Sequence, residues 1–136
     1  MRYFLLIFIT IGLLSTLTLR AEETSLAQVL KLYHSGAYVT ALQKLDQLQA
    51  STPKESGMIH YWKGLCHSKL HSYKNASLSF SRALKDKVEP AGIYYELGQA
   101  FYAQQELEKA RSAFFMSQKK DYKMGWGMAT VNFYEK

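Results

Sequence analysis

The feature that most constrains the fold of this chain is a recurrence of small residues at a fixed interval. Gly98 follows Gly64 at the same interval at which Ala110 follows Ala76, and Ala41 extends the alanine series backwards with almost the same spacing. The interval is about 34 residues, within the range of arrays in which each unit is one supersecondary structure stacked on its neighbours. The predicted units are residues 24–56, 57–90 and 91–122.

Apolar residues within these units recur at the spacing of a helix and not of a strand. In the third unit the apolar positions are Tyr94, Leu97 and Phe101, followed by Leu107, Ala110 and Phe114. Each unit is therefore predicted to be two antiparallel helices joined by a tight turn. The predicted helices are residues 26–33, 39–49, 58–69, 74–85, 93–102 and 106–117. Pro53 and Pro90 are each expected to lie in the turn that follows a second helix.

Small residues allow the axes of two helices to approach closely. A glycine inside a helix costs roughly 0.5–1 kcal/mol relative to alanine, so close packing must return more than that. We expect the recurring glycines and alanines to lie where paired helices meet, with aromatic rings filling the space around them. The residues predicted to pack in this way are Gly64, Ala76, Phe80, Gly98, Ala110 and Phe114.

This pattern resembles the tetratricopeptide repeat (TPR), a helix–turn–helix unit with the same period. The third unit matches the family pattern at Tyr94, Leu97, Gly98, Phe101, Ala110 and Phe114. The second matches at Gly64, Tyr73, Ala76, Phe80 and Ala83, and the first mainly at Gly36, Tyr38, Ala41, Leu48 and Pro53. The resemblance covers about residues 24–118. It implies an all-α fold, an α-solenoid of about three TPR helix–turn–helix repeats.

The last residues of the chain are similar to the start of another repeat. Trp126, Ala129, Thr130 and Phe133 match the aromatic, Leu, Gly and Tyr positions of a first helix. Helical arrays need a polar terminal cap for solubility. Residues 124–135 are therefore predicted to form a C-terminal capping helix, the alternative being that the natural protein continues.

The resemblance also implies a binding surface, because the first helices of such repeats line a concave groove. The positions that contact ligands in the family fall on Tyr61, Leu65, Lys69, Tyr95, Gln99 and Tyr102. The weaker equivalents in the first unit are Leu26, Leu30 and Tyr33. A branch of the family binds C-terminal carboxylates with Lys, Asn and Arg at these positions, but this chain has Tyr61, Leu65, Tyr95 and Gln99 there, so that ligand is not expected. Its aromatic and aliphatic groove suits a peptide or an amphipathic helix of another protein.

No arrangement of residues in the sequence is typical of an enzyme, and no catalytic residue or cofactor is expected. The chain has no glycine-rich phosphate loop and no GxSxG turn. Glu106 and Glu108 lie at the predicted start of a helix, where acidic side chains are stabilised by the positive end of the helix dipole. This position explains them without a catalytic role. Cys66 and His67 are adjacent, so on a helix they point about 100° apart and cannot act as a nucleophile and its base. Cys66 is predicted to be a buried core thiol.

Three histidines raise the question of a metal site. His67 and His71 have the i, i+4 spacing of two ligands on one helix face. His60 lies about 10 Å from His67 along the helix axis, at about 1.5 Å per residue, so it cannot bind the same ion. No carboxylate in this stretch of sequence completes a ligand set. His60 and His67 also fill positions where the TPR family has aromatic rings. No metal site is expected, and metal or small-ligand binding through His67 and His71 remains the alternative function.

The first 21 residues are predicted to be an export segment and not part of the domain at 22–136. Residues 3–19 carry no charge and follow Arg2, which is typical of a secretory signal peptide with cleavage after Ala21. An uncleaved membrane anchor is the alternative, since this segment is near the lower length limit for crossing a bilayer. The expected location is periplasmic or secreted, or anchored to the inner membrane.

Charge and cysteine content narrow the range of partners. The net charge of +6 falls to +4 when Arg2 and Arg20 are removed with the export segment. The sequence has no stripe of basic residues, so nucleic-acid binding is not expected. A single cysteine excludes an internal disulfide. The resemblance thus implies a non-enzymatic scaffold or adaptor that binds a segment of another protein, in a bacterial envelope or secretion process. A further alternative is a self-assembling TPR module that stacks through Trp126 and Phe133.

Overall fold

The computed structural model describes residues 25–120, and this part of the chain contains six α-helices and no strand. The helices are α1 (Leu26–His34), α2 (Tyr38–Gln47), α3 (Pro53–Lys69), α4 (Tyr73–Lys85), α5 (Ile93–Ala103) and α6 (Leu107–Lys120). The all-α prediction is confirmed for these residues. The predicted export segment at 1–21, the predicted capping helix at 124–135 and the self-association residues Trp126 and Phe133 lie outside the described residues.

The helices pack in chain order as three consecutive pairs. The pairs are α1–α2, α3–α4 and α5–α6. Helix α3 packs against α2, and α5 packs against both α4 and α3, so each new pair lies against the one before it. Among residues 25–120, no helix combines the length and the apolar character needed to cross a membrane.

The turn inside each pair has the same backbone geometry. Its central residue has a positive φ, with values of 80°, 57° and 61° at Gly36, His71 and Gln105. The next residue donates its backbone N–H to the carbonyl oxygen five residues earlier, as in a Schellman motif. These bonds run from Ala37 to Leu32, from Ser72 to His67 and from Glu106 to Phe101, at 2.9–3.0 Å. The central residues follow one another at nearly equal intervals, so the backbone repeats with the period of the sequence.

Helix α3 begins five residues before its predicted start, and the prediction that Pro53 lies in a turn was wrong. Thr52 caps the helix, because its Oγ1 accepts the backbone N–H of Glu55 at 3.2 Å. The Glu55 carboxylate accepts the backbone N–H of Ser51 at 2.7 Å, which satisfies a second donor. Proline is favoured at the first helical position, where its missing N–H leaves nothing unpaired. The other helix ends fall within three residues of the predicted positions.

The added first turn of α3 ties this helix to the connection between α4 and α5. Gly57 is buried directly against the Val88 side chain, with no room for a Cβ atom. Beside it, the Ser56 hydroxyl donates a hydrogen bond of 2.8 Å to the Asp86 carboxylate. Gly57 is thus a close-packing glycine that the sequence interpretation did not include.

Two main groups of buried side chains hold the pairs together. One joins α4, α5 and α6 through residues that include Ala76, Phe80 and Ile93. The other joins α1, α2 and α3 and contains Cys66, which is fully buried. The prediction that Cys66 is a core thiol is confirmed. Burial raises the pKa of this thiol to about 11, so it stays protonated and unreactive at neutral pH.

Candidate interaction groove

The recurring glycines face phenylalanine rings of the paired helix. A Cβ atom placed on Gly64 would lie 2.5 Å from Cε1 of Phe80, and one on Gly98 would lie 2.5 Å from Cδ1 of Phe114. Both rings are at most 1% exposed, and the partner alanines Ala76 and Ala110 are fully buried. In the pairs α3–α4 and α5–α6, one phenylalanine therefore occupies the space that the glycine leaves open.

A cavity of about 260 Å³ lies between α1, α3, the start of α4 and α5. The predicted groove residues that line it are Leu65, Lys69, Gln99 and Tyr102. Tyr33 of α1, the weaker equivalent from the first unit, lines it as well. The structure thus brings together predicted residues from all three helix pairs. We call this cavity, with these five residues and Glu96, the groove.

The other two predicted groove residues, Tyr61 and Tyr95, do not line this cavity. Their rings pack inside the helix pairs, with centroids 6.1 Å from the Phe80 ring and 5.8 Å from the Phe114 ring, respectively. The Tyr95 hydroxyl also accepts a hydrogen bond of 2.8 Å from Gln99 Nε2, which orients the amide of a lining residue. These tyrosines pack between the helices behind the groove. Substituting them would therefore disturb the packing of the helix pairs as well as any binding in the groove.

Glu96 is a lining residue that the sequence interpretation missed. It lies in the first turn of α5 and is partly buried. Burial raises the pKa of its carboxyl group, and the positive charge of Lys69 opposes this shift. The equivalent position of the preceding unit holds Trp62, whose ring packs 5.4 Å from that of Tyr33. Glu96 could have been identified from the sequence by this difference, because it is a charged residue at a position where the preceding unit has a core aromatic residue.

The charge of Glu96 also reaches the tyrosines around it. The pKa values of Tyr33 and Tyr61 are raised, first by burial and then by the negative charge of Glu96. Both phenols therefore remain neutral at physiological pH and act as donors or acceptors of hydrogen bonds. The groove combines aromatic rings, an amide, a carboxylate and an ammonium group.

A second cavity, of about 460 Å³, lies where α3 crosses the first pair. Its apolar wall is formed by Leu26, Leu48, Met58 and Ile59, with polar residues such as Glu55 at the rim. It contains none of the predicted groove residues except Leu26.

The three histidines of the predicted helix face differ in their exposure to solvent. His60 and His67 are partly buried among packed helices, whereas His71 is exposed and its Nδ1 lies 2.8 Å from the Tyr73 hydroxyl. Within the described range, no three His, Cys, Asp or Glu side chains come together in a way that could hold a metal ion.

Stability is expected to decrease as the pH falls below about 6.5, because of His60 and His67. Burial lowers the pKa of both imidazoles in the folded state, so the unfolded chain binds protons first as the pH drops below about 6.5. The stabilisation is therefore present above that pH and lost below it. Urea unfolding at several pH values measures the slope. The double variant His60→Phe/His67→Phe should show a shallower slope, and an unchanged slope would contradict the assignment.

Comparisons with protein-family models and with curated proteins find no match for this chain. The geometry of the helix pairs and of the groove therefore provides the basis for a functional argument.

Proposed function

We propose that this chain is a non-enzymatic interaction scaffold, a short TPR-like α-solenoid that binds a peptide or helix of a partner protein in its groove. The process we propose is one of the bacterial envelope or of secretion. The observation that carries the proposal is the cavity in which Leu65, Lys69, Gln99 and Tyr102, predicted from repeat positions on two different helices, lie together.

The recurrence of local geometry supports the TPR-like part of the proposal. The same positive-φ turn joins the helices of all three pairs, at intervals that match the sequence period. The contact between Gly64 and Phe80 is repeated between Gly98 and Phe114. Units that repeat both turn and contact stack with a constant rotation, which produces the concave surface of a solenoid.

The size and chemistry of the groove support a protein ligand. A volume of about 260 Å³ is below the range typical of sites that enclose a small organic molecule, and suits one or two side chains of a larger ligand. Tyr33, Leu65 and Tyr102 offer apolar contact area, whereas Gln99 and Lys69 offer hydrogen bonds. Protein interfaces characteristically combine aromatic anchors with such polar groups.

The uncharged segment at residues 3–19 supports the proposed location. A leading Arg2 followed by this segment is the pattern of an export signal. The single cysteine, Cys66, is buried, so its thiol is shielded from oxidation outside the cytoplasm.

The groove is tested with peptides selected from a random-sequence display library on the full chain. For a selected peptide, Gln99→Ala and Tyr102→Ala are each expected to raise the dissociation constant about tenfold or more, because they remove a contact at the centre of the groove. Fluorescence anisotropy measures the affinity, and circular dichroism shows whether helicity is kept.

The matched control for this experiment is Val39→Ala on α2. Val39 is 58% exposed and lies outside the residues that line the groove. Its replacement should leave peptide affinity unchanged. Selected peptides that bind the Gln99 and Tyr102 variants as tightly as the wild type would rule out the groove as the binding surface.

A further inference from the structure

We propose that the groove selects partner segments that carry a lysine or arginine side chain, and that the Glu96 carboxylate binds this cation. The inference rests on the proposed function and adds the chemistry that the partner must present. It rests on the position of Glu96, on the absence of a hydrogen bond to its carboxylate from residues 25–120, and on the residues that line the cavity with it.

Glu96 is the acidic residue of the groove wall. In the part of the chain that the structure describes, the cavity is otherwise lined by aromatic, aliphatic, hydroxyl and amide side chains and by Lys69. Helix α5 holds Glu96 in its first turn, one turn before Gln99, so both side chains project toward the same cavity. The carboxylate thus lies where a side chain of a bound peptide would enter.

The Glu96 carboxylate has no hydrogen-bond donor among residues 25–120. The side-chain hydrogen bonds of this region include none to Glu96, and Lys69 acts on it only as a nearby charge, without an ion pair. Partial burial weakens the hydration of this carboxylate, which raises the pKa of the carboxyl group, and no hydrogen bond within residues 25–120 compensates. An ammonium or guanidinium group from a ligand would supply the missing donors through a charge-assisted hydrogen bond.

Aromatic rings next to Glu96 favour the same ligand chemistry. Tyr33 and Tyr102 line the cavity with it, and Tyr61 is close enough for its pKa to be affected by the Glu96 charge. The faces of aromatic rings attract cations, and most strongly where water is partly excluded. A lysine stem or an arginine plane can therefore contact the rings while its charged end reaches the carboxylate.

The charges elsewhere favour a cation over an anion as the ligand of this groove. The chain as a whole carries a net charge of +6 and the groove holds one carboxylate and one ammonium group, so Glu96 gives local selectivity for a cation and not general attraction. Lys69, the groove residue that could bind an anion, is exposed in the last turn of α3, where the helix dipole favours a positive charge. The helix dipole likewise favours an acid in the first turn of α5, where Glu96 lies, but Glu96 is partly buried whereas Lys69 is exposed.

Random-sequence peptides displayed on phage and selected on the full chain test the inference. We expect Lys or Arg to be enriched at one position. For a synthetic peptide from this selection, Glu96→Gln should weaken binding about tenfold, and replacing the peptide lysine or arginine by norleucine should cost the same. Combining the two changes should weaken binding no further than either alone, because both remove one interaction. Glu108→Gln, at an acid that is 82% exposed on α6, is the control and should change nothing.

Lys69→Gln gives a test of opposite sign. Removing this positive charge should strengthen binding of the cationic peptide about two- to threefold, because Lys69 and the ligand compete for the Glu96 charge. If Lys69→Gln weakens binding and Glu96→Gln strengthens it, the ligand is anionic and the inference is overturned. It is also overturned if the selected peptides depend on Gln99 and Tyr102 but show no basic residue, an outcome that leaves the proposed function intact. Selection of no peptide, or of peptides indifferent to Gln99 and Tyr102, overturns both.

Discussion

Replacing Phe114 with alanine is expected to lower the free energy of unfolding by about 3–5 kcal/mol. The ring is 1% exposed and packs directly over Gly98 of the paired helix. It also contacts the Tyr95 ring, at a centroid distance of 5.8 Å. Alanine would leave a cavity that α5 and α6 can close only by moving together, and other buried side chains oppose that movement. Urea unfolding followed by circular dichroism in the far ultraviolet measures the loss.

The neighbouring residue provides the control. Phe115 follows Phe114 on α6 but is 56% exposed, so Phe115→Ala should change the free energy of unfolding by only about 0.5 kcal/mol. Since a domain of this size has roughly 5–15 kcal/mol in total, Phe114→Leu serves as a milder variant, expected to cost about 1–1.5 kcal/mol. Equal losses at positions 114 and 115 would show that the packing of α6 against α5 differs from that described.

The helices were predictable from the sequence because their signals are local and repeated. Tyr94, Leu97 and Phe101 follow the helical period, and α5 begins at the predicted residue 93. The all-α arrangement could be expected for the same reason, since each pair reuses one pattern of small and aromatic residues. A signal that recurs in register is less ambiguous than any single occurrence of it.

The start of α3 was missed because one residue type carries two opposite signals. Proline ends helices when it stands inside them but favours a helix when it is the first helical residue. The sequence TPKE contains the capping threonine and the glutamate three residues later that distinguish the second case, and Thr52 and Glu55 make those bonds. Considering the proline together with its neighbours would have moved the predicted start to residue 53.

The groove was only partly predictable because it depends on how the pairs stack. Of the six residues chosen from repeat positions, Leu65, Lys69, Gln99 and Tyr102 line one cavity, and Tyr61 and Tyr95 do not. Repeat positions did not indicate Glu96, which acquires its environment only when α5 lies against α3 and near α1. The burial that raises the pKa of Glu96 comes from helices distant in sequence, so only the comparison with Trp62 in the preceding unit, and not the pattern of α5 alone, could have indicated it.

Gly64→Ala is expected to lower the free energy of unfolding by about 2 kcal/mol, although the same change in an exposed helix would raise it by up to about 1 kcal/mol. The added Cβ would lie 2.5 Å from the ring of Phe80, which is fully buried and cannot turn away. The sign of the measured change therefore reports directly whether the ring covers the glycine. Urea unfolding of the single variant supplies this value.

Phe80→Leu provides the second half of the test, because a smaller side chain makes room for the added methyl group. We expect Gly64→Ala to cost at least about 1 kcal/mol less in the Phe80→Leu background than in the wild type, a coupling typical of residues in contact. Independent, additive effects would mean that the glycine and the ring do not meet, and the equivalent contact between Gly98 and Phe114 would then lose its support. If the coupling is found, the recurrence of glycine from one helix pair to the next has a physical cause. Each glycine leaves space for the phenylalanine ring that packs between the two helices of its pair.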